Sequence, residues 1–386
     1  MANILMVIPA LYCGGGLQKI SLQLSQELIK RGHDVTVVDE YAPPMEKLSY
    51  LEFFPKFEKI NSYNCDRYNL QAFLEILKRN SAELIIYQGF FPKVNNFLKL
   101  LIEIHDIKII SILHNSPDAP MPKGLKSLNH DLKGIIKALF YPPYYLYSRH
   151  KVGEFLKIPY LFSERVLLLS PNFIDIYESL TGLHDKIRVI PNFIQRNSDN
   201  KCKKKKQLLY IGRLEEDAKK VSRIIHIWEK ISAIKSDWKL VLAGEGRYSK
   251  TYEKYVSKKG IERVEFLGYI PNPIDLYSES SISLMTSDFE GFPMALVEAM
   301  SVGCVPIAYK SFKSITDIID DGSNGVLVKP FKEKEYINKL LKIMDDDALL
   351  KKLSTNAIIK AATFSDKNII PQWETIIKEV IDSKSI

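Results

Sequence analysis

Short apolar runs alternate with stretches of helical spacing along the chain. In the first half, Ile4–Ala10, Asp34–Val38, Leu84–Tyr87, Ile107–Leu113, Val166–Leu169 and Ile187–Ile190 read as strands. An amphipathic helix from about Leu17 to Lys30 lies between the first two. Near-continuous apolar runs of this length fit strands covered on both faces, and their alternation with helices predicts βαβ units around a parallel sheet. After residue 206 the pattern restarts. Strands are predicted at Leu208–Ile211, Lys239–Ala243, Val264–Leu267, Ile282–Met285 and Val305–Ala308, with helices from about Val221 to Ala233 and from about Ala295. A last amphipathic helix, Ile369–Ile381, carries Trp373.

The break between the two patterns is polar. Residues 196–206 carry six basic side chains against Asp199 and end in four lysines, Lys203 to Lys206, which reads as a solvated linker. The expected organisation is therefore an α/β protein of two Rossmann-like domains. These are 1–195 and 207–365, joined by a basic linker at 196–206, with a C-terminal helix at 366–386. A length of 386 residues suits two cores better than one, and 46% hydrophobic with 26% charged residues is the balance of a soluble globular protein. No apolar run reaches the roughly 18 residues a transmembrane helix needs. Met1 to Pro9 reads as a buried first strand and not as a secretory signal. The four cysteines are scattered without a CxxC pair, which argues against a zinc site or disulfide framework and for a reducing cytoplasm.

The net charge of +8 is local. Residues 123–157 and 196–206 each carry +5, so the rest of the chain stands at −2. That distribution suits one or two anionic contacts and not a nucleic-acid-coating surface.

Open parallel sheets bind ligands at the carboxyl ends of their strands, so candidate chemistry is sought there. The strongest string is Ser287-Asp288-Phe289-Glu290-Gly291-Phe292-Pro293-Met294-Ala295-Leu296-Val297-Glu298, which follows a predicted strand and opens a helix. Gly291 and Pro293 make a tight loop. The amides of Met294, Ala295 and Leu296 are expected to lie free at the helix N-terminus, as an anion site suited to a diphosphate. Glu290 is placed to accept from sugar hydroxyls, and Glu298 from the vicinal hydroxyls of a ribose. Either glutamate alone is an ordinary loop or helix carboxylate. Arg213, at the end of the strand before it, and Lys219, near the next helix start, supply charge that would neutralise a diphosphate without a metal.

Two further features lie in the first half. Gly14-Gly15-Gly16 follows the first strand, where glycines let a backbone approach phosphate or sugar closely. His114 ends the run Ile109–Leu113, with Gln88-Gly89 at the neighbouring strand end. Asp39 stands where a dinucleotide-binding unit places its ribose carboxylate, so a nicotinamide-dependent oxidoreductase is a competing reading, although the glycine spacing is not GxGxxG. His33 is read as structural.

The glutamate pair eight residues apart around a Gly-Phe-Pro turn, with Arg213 and Lys219 before it, resembles the retaining GT-B glycosyltransferases called group 1 or family 4. The resemblance is tightest from Tyr210 to Pro330. It implies two Rossmann-like domains facing across a cleft, the C-terminal helix packing back on the first, a donor sugar on Glu290 and a nucleotide ribose on Glu298. It also implies Gly15, Gly16 and Gly246 near the donor, His114 close to the transferred sugar, and retention at the donor carbon. No cofactor or metal is expected, because the nucleotide sugar is itself a substrate. A UDP-sugar is favoured on family frequency. The acceptor is expected to be a glycan or lipid-linked sugar of a capsule, O-antigen or lipopolysaccharide.

Residues 123–147 interleave lysines with leucines and isoleucines and then turn aromatic at Tyr141–Tyr147. This suits either an anionic membrane face, making the protein peripheral on the inner side of the cell membrane, or a surface helix packed on the core. A GT-B sugar-nucleotide epimerase and a non-catalytic membrane-associated scaffold remain rival readings.

Overall fold

A computed structural model describes residues 1–9, 16–41, 55–121, 132–195 and 203–383, with backbone only at 132–140. The chain divides into two compact units, Met1–Ile190 with Ile370–Ile386, and Pro191–Ile369.

The first unit is a seven-stranded, all-parallel sheet. Its strands are β1 (Asn3–Val7), β2 (Asp34–Asp39), β3 (Lys56–Lys59), β4 (Leu84–Gln88), β5 (Lys108–Leu113), β6 (Arg165–Leu168) and β7 (Ile187–Val189), in the order β3-β2-β1-β4-β5-β6-β7. Chain order reverses between β1 and β4, which makes their carboxyl ends the switch point of this sheet. Its helices are α1 (Gly16–Lys30), α2 (Arg67–Arg79), α3 (Pro92–Ile104), α4 (Leu132–Phe162) and α5 (Ile174–Thr181). Asp66 starts α2 by accepting from the Asn69 amide at 2.9 Å, and Gly182 ends α5 in the left-handed conformation. β1 and β4 are almost wholly buried because helices cover both faces of a parallel sheet. His33 is buried and lies 3.1 Å from Glu374, a contact that ties the C-terminal helix to this unit.

The second unit has six parallel strands, β8 (Lys205–Ile211), β9 (Lys239–Ala243), β10 (Val264–Gly268), β11 (Ser280–Met285), β12 (Val305–Tyr309) and β13 (Val326–Val328), in the order β10-β9-β8-β11-β12-β13. Here the switch point falls between β8 and β11. The helices are α6 (Val221–Ile231), α7 (Ser249–Lys259), α8 (Ile274–Glu279), α9 (Met294–Ser301), α10 (Ile315–Ile318), α11 (Glu333–Asp345), α12 (Asp347–Ala362) and α13 (Asp366–Asp382), the last of which runs on into the first unit. Trp228 on α6 is fully buried, and its indole donates to the Glu262 carbonyl at 3.0 Å, so the largest core side chain leaves no polar atom unmet.

Two expectations change. The lysine run does not end as a solvated linker, because Lys205 and Lys206 already belong to β8. Glu279 and Asp237 neutralise them, which lets a charged segment enter the sheet at its end. The aromatic stretch after Phe140 is not a separate cluster. α4 runs through Pro142 and Pro143, Tyr141 stacks on Tyr145, and Tyr144, Leu146 and Tyr147 are exposed. Farther along, Val152, Leu156 and Tyr160 turn into the core at i, i+4 spacing. The lysines at 123 and 126, and Gly14 and Gly15, lie outside the described residues. Among the described residues no helix is long and apolar enough to cross a membrane.

Candidate active site

In the second unit the site is built astride the switch point. The loop after β8 carries Arg213 and Lys219, and the loop after β11 carries Glu290. Lys219 Nζ lies 2.7 Å from both oxygens of the Glu290 carboxylate, and Ser287 Oγ donates to the same group at 2.6 Å. The pair is mostly enclosed, with side-chain exposures of 21% and 11%. Ion pairs this sheltered are screened less by solvent than surface pairs, and removing one partner strands the other. Arg213 is the opposite case. Its side chain is 74% exposed and only loosely met by Glu215 at 3.4 Å, so it is available to an incoming anion.

The backbone beneath Arg213 is tightly woven. The Gly212 amide donates to Ala243 O at 3.0 Å, Leu214 to Glu245 O at 3.0 Å, and Gly244 to Gly268 O at 2.7 Å. A Cβ at Gly244 would stand 2.0 Å from Gly212 O, and one at Gly246 would stand 2.3 Å from Leu214 O. The glycines after β9 therefore let two loops cross, and the Gly246 amide is taken by Ser249 Oγ at 3.0 Å.

A second set of residues holds Lys219 and Glu290 in place. Glu216 caps α6 by accepting from the Ser222 amide at 2.8 Å and its hydroxyl at 2.9 Å, and Tyr252 donates to it too. Lys220 adopts a left-handed backbone with φ 53, and its carbonyl accepts from Thr286 Oγ1 at 3.0 Å. The Asp288 amide donates to Ala218 O at 2.8 Å. Arg223 on α6 donates to Thr286 O at 3.0 Å and pairs with Asp288 at 2.6 Å, while its guanidinium stacks 4.4 Å over the Phe331 ring. These contacts lock the segment 286–288 that leads into Glu290. Arg223 was not found by sequence reasoning, since an arginine in a first helical turn looks like any solvated one.

At the start of α9 fewer amides are unpartnered than the sequence suggested. The Met294 amide is taken by Phe292 O at 2.9 Å and that of Leu296 by Pro293 O at 3.0 Å, which leaves the Ala295 amide without a partner among the described residues. The tight turn that frees the helix end also folds two of its donors back on itself. Gly291, Phe292 and Pro293 are all buried here, with Phe292 edge-on to Phe364 at 5.3 Å. Glu298, one turn on, accepts from the buried Tyr277 hydroxyl at 3.4 Å, and burial with this carboxylate nearby pushes the Tyr277 proton's release well up.

In the first unit, Gly16 opens α1, and His114 follows β5 with Nε2 2.8 Å from Gln88 Oε1. Burial lowers the His114 pKa to about 4, so the ring is neutral at physiological pH. An unfolded imidazole titrates near 6.5 and takes up its proton first as pH falls. Stability linked to His114 is therefore fully present above about pH 6.5 and is lost as pH falls toward 4, by up to about 3 kcal/mol. Comparing urea midpoints at pH 7 and pH 4.5 for the wild type and His114→Asn should show the smaller drop in the variant. Asp39 is only 3% exposed, which disfavours it as a ribose ligand and weakens the nicotinamide reading. No group of three or more His, Cys, Asp or Glu suited to a metal ion occurs among the described residues.

Comparison with known proteins agrees with both halves. Residues 192–360 match the family model for glycosyl transferases group 1, and residues 14–197 match that for Glycosyltransferase Family 4. A Campylobacter jejuni relative, a GalNAc-alpha-(1->4)-GalNAc-alpha-(1->3)-diNAcBac-PP-undecaprenol alpha-1,4-N-acetyl-D-galactosaminyltransferase, is 27% identical over 239 residues, 61% of this chain and 66% of that protein. Across the first three curated relatives the match spans 22% to 66% of their own length. The structure of an S. aureus TarM mutant in complex with Fondaparinux, alpha-GlcNAc-glycerol and UDP superposes with a TM-score of 0.78 at 14% identity, covering 99% of this chain and all of that one. Anabaena HepE in complex with UDP and glucose gives a TM-score of 0.74 at 17% identity, covering 98% and 100%. At such identities the likeness is one of fold, and with a family model on each half the chain belongs to the group 1 glycosyltransferases of GT-B fold.

Proposed function

We propose that the protein moves a sugar from a nucleoside diphosphate sugar, a UDP-sugar by preference, to a glycan or lipid-linked acceptor of a bacterial surface polysaccharide, with retention at the donor carbon. The observation that carries this reading is the Lys219–Glu290 pair at the switch point, with the exposed Arg213 beside it on the same loop. A diphosphate arriving on Arg213 competes with Glu290 for the Lys219 ammonium. Once Lys219 turns to phosphate, the Glu290 carboxylate is released to accept from the hydroxyls of the attached sugar, while Glu298 takes the ribose. Transfer then breaks the bond from the donor carbon to the phosphate oxygen and forms one to the acceptor oxygen on the same face. The acceptor's proton passes to the departing phosphate, whose charge Arg213, Lys219 and the Ala295 amide stabilise. No metal or cofactor enters this scheme, and its power is electrostatic and positional.

The lipid-linked acceptor draws support from the Campylobacter relative's name and from the exposed Tyr144, Leu146 and Tyr147, with the Lys151 ammonium 5.6 Å over the Tyr147 ring. Aromatic and basic side chains of this kind suit peripheral contact with an anionic cytoplasmic membrane face. Thermal-shift screening against UDP-, GDP- and ADP-sugars and NAD is expected to show stabilisation by a UDP-sugar and none by NAD. Product analysis with and without acceptor then separates transfer from epimerisation. Stabilisation by no nucleotide sugar would overturn the proposal.

A further inference from the structure

Gln88 is the last residue of β4 and is 1% exposed. Its register partner on β5 is Ile112, so His114, two residues further, emerges on the same face of the sheet. The backbone around it is fixed. The Tyr87 hydroxyl accepts from the Phe91 amide at 2.5 Å, and Gly89 turns with φ 129 where a Cβ would meet the Phe91 ring at 2.5 Å. Within that frame the Gln88 side chain makes one contact, from Oε1 to His114 Nε2 at 2.8 Å, and its own Nε2 is buried with no partner among the described residues.

A buried amide with one hand empty destabilises a fold relative to an apolar side chain of the same length, and methionine would fill this volume without that penalty. What glutamine supplies here and methionine does not is an acceptor oxygen 2.8 Å from the imidazole. A neutral imidazole carries a single N–H, and an acceptor on one nitrogen holds the proton there. We propose that Gln88 is a positioning residue that fixes His114 as its Nε2–H tautomer, which leaves Nδ1 as the hydrogen-bond acceptor the ring offers to a ligand hydroxyl at the carboxyl ends of β4 and β5. This inference rests on the glycosyltransfer reading above.

The test uses the full chain labelled with 15N-histidine, the His114 signals being identified by their loss in His114→Asn. The wild type is expected to show the Nε2–H pattern, and Gln88→Glu, which keeps an acceptor oxygen, to retain a proton on Nε2. Gln88→Met is expected to shift toward Nδ1–H with a Tm equal to or above that of the wild type. Its kcat should fall at least about tenfold with little change in KM for the nucleotide sugar, and Gln88→Glu should recover most of it. An Nδ1–H wild type, an unchanged tautomer in Gln88→Met, or activity lost only in step with Tm would overturn the proposal. Absence of transfer by the wild type with every donor would overturn the glycosyltransfer reading instead, and the imidazole spectra would still decide whether Gln88 sets the tautomer.

Discussion

Glu290→Gln is expected to lower transfer by about 10²–10³-fold while leaving the fold intact. The amide keeps the shape of the side chain and one acceptor oxygen, but it gives up the charge that strengthens hydrogen bonds from sugar hydroxyls. The same change should tighten binding of the nucleoside diphosphate. In the wild type, both carboxylate oxygens sit 2.7 Å from Lys219 Nζ, so a diphosphate must displace an ion pair before it gains that cation. An uncharged glutamine removes the competitor. Steady-state kinetics with product inhibition by the diphosphate would show a fall in kcat together with a lower inhibition constant. Loss of both transfer and diphosphate binding would mean that Glu290 only holds the loop together.

Gly244→Ala is expected to destabilise the second unit by about 3 kcal/mol or more and to dull its response to donor. The residue has φ 132, a conformation that alanine adopts only with strain, and an added Cβ would stand 2.0 Å from the Gly212 carbonyl. The obstacle is backbone and not a flexible side chain, so the loops after β8 and β9 must part. Arg213 follows Gly212 directly, so relief of the clash moves the most exposed cation of the site. A urea midpoint equal to the wild type's, with unchanged stabilisation by donor, would count against this account of the crossing.

Much of the fold was legible because its central strands are predominantly apolar, as at Leu84–Tyr87 and Ile282–Met285, and a buried parallel strand has few other ways to look. β3 was not legible. Its sequence Lys-Phe-Glu-Lys sits at the sheet edge with two faces part-exposed, and it matches a surface loop as well as a strand. Lys205 and Lys206 were misassigned for a related reason, since only the fold brings Glu279 and Asp237 alongside them. In the site, Glu290, Arg213 and Lys219 are named by local sequence, yet the direct contact between Lys219 and Glu290 is a product of β8 and β11 being neighbours. Arg223 depends on the same adjacency, because its partners Thr286, Asp288 and Phe331 are distant in sequence. The two amides of α9 that fold back on the Phe-Pro turn were invisible for want of turn geometry.

Lys219, which holds Glu290 in the free protein, is proposed to be shared with a donor diphosphate. Calorimetric titration of UDP into the wild type, Lys219→Met and Glu290→Gln tests that sharing without any need for the acceptor. Binding is expected to be tightest in Glu290→Gln, intermediate in the wild type and weakest in Lys219→Met. Equal affinity in wild type and Lys219→Met, or weaker binding in Glu290→Gln than in wild type, would contradict it.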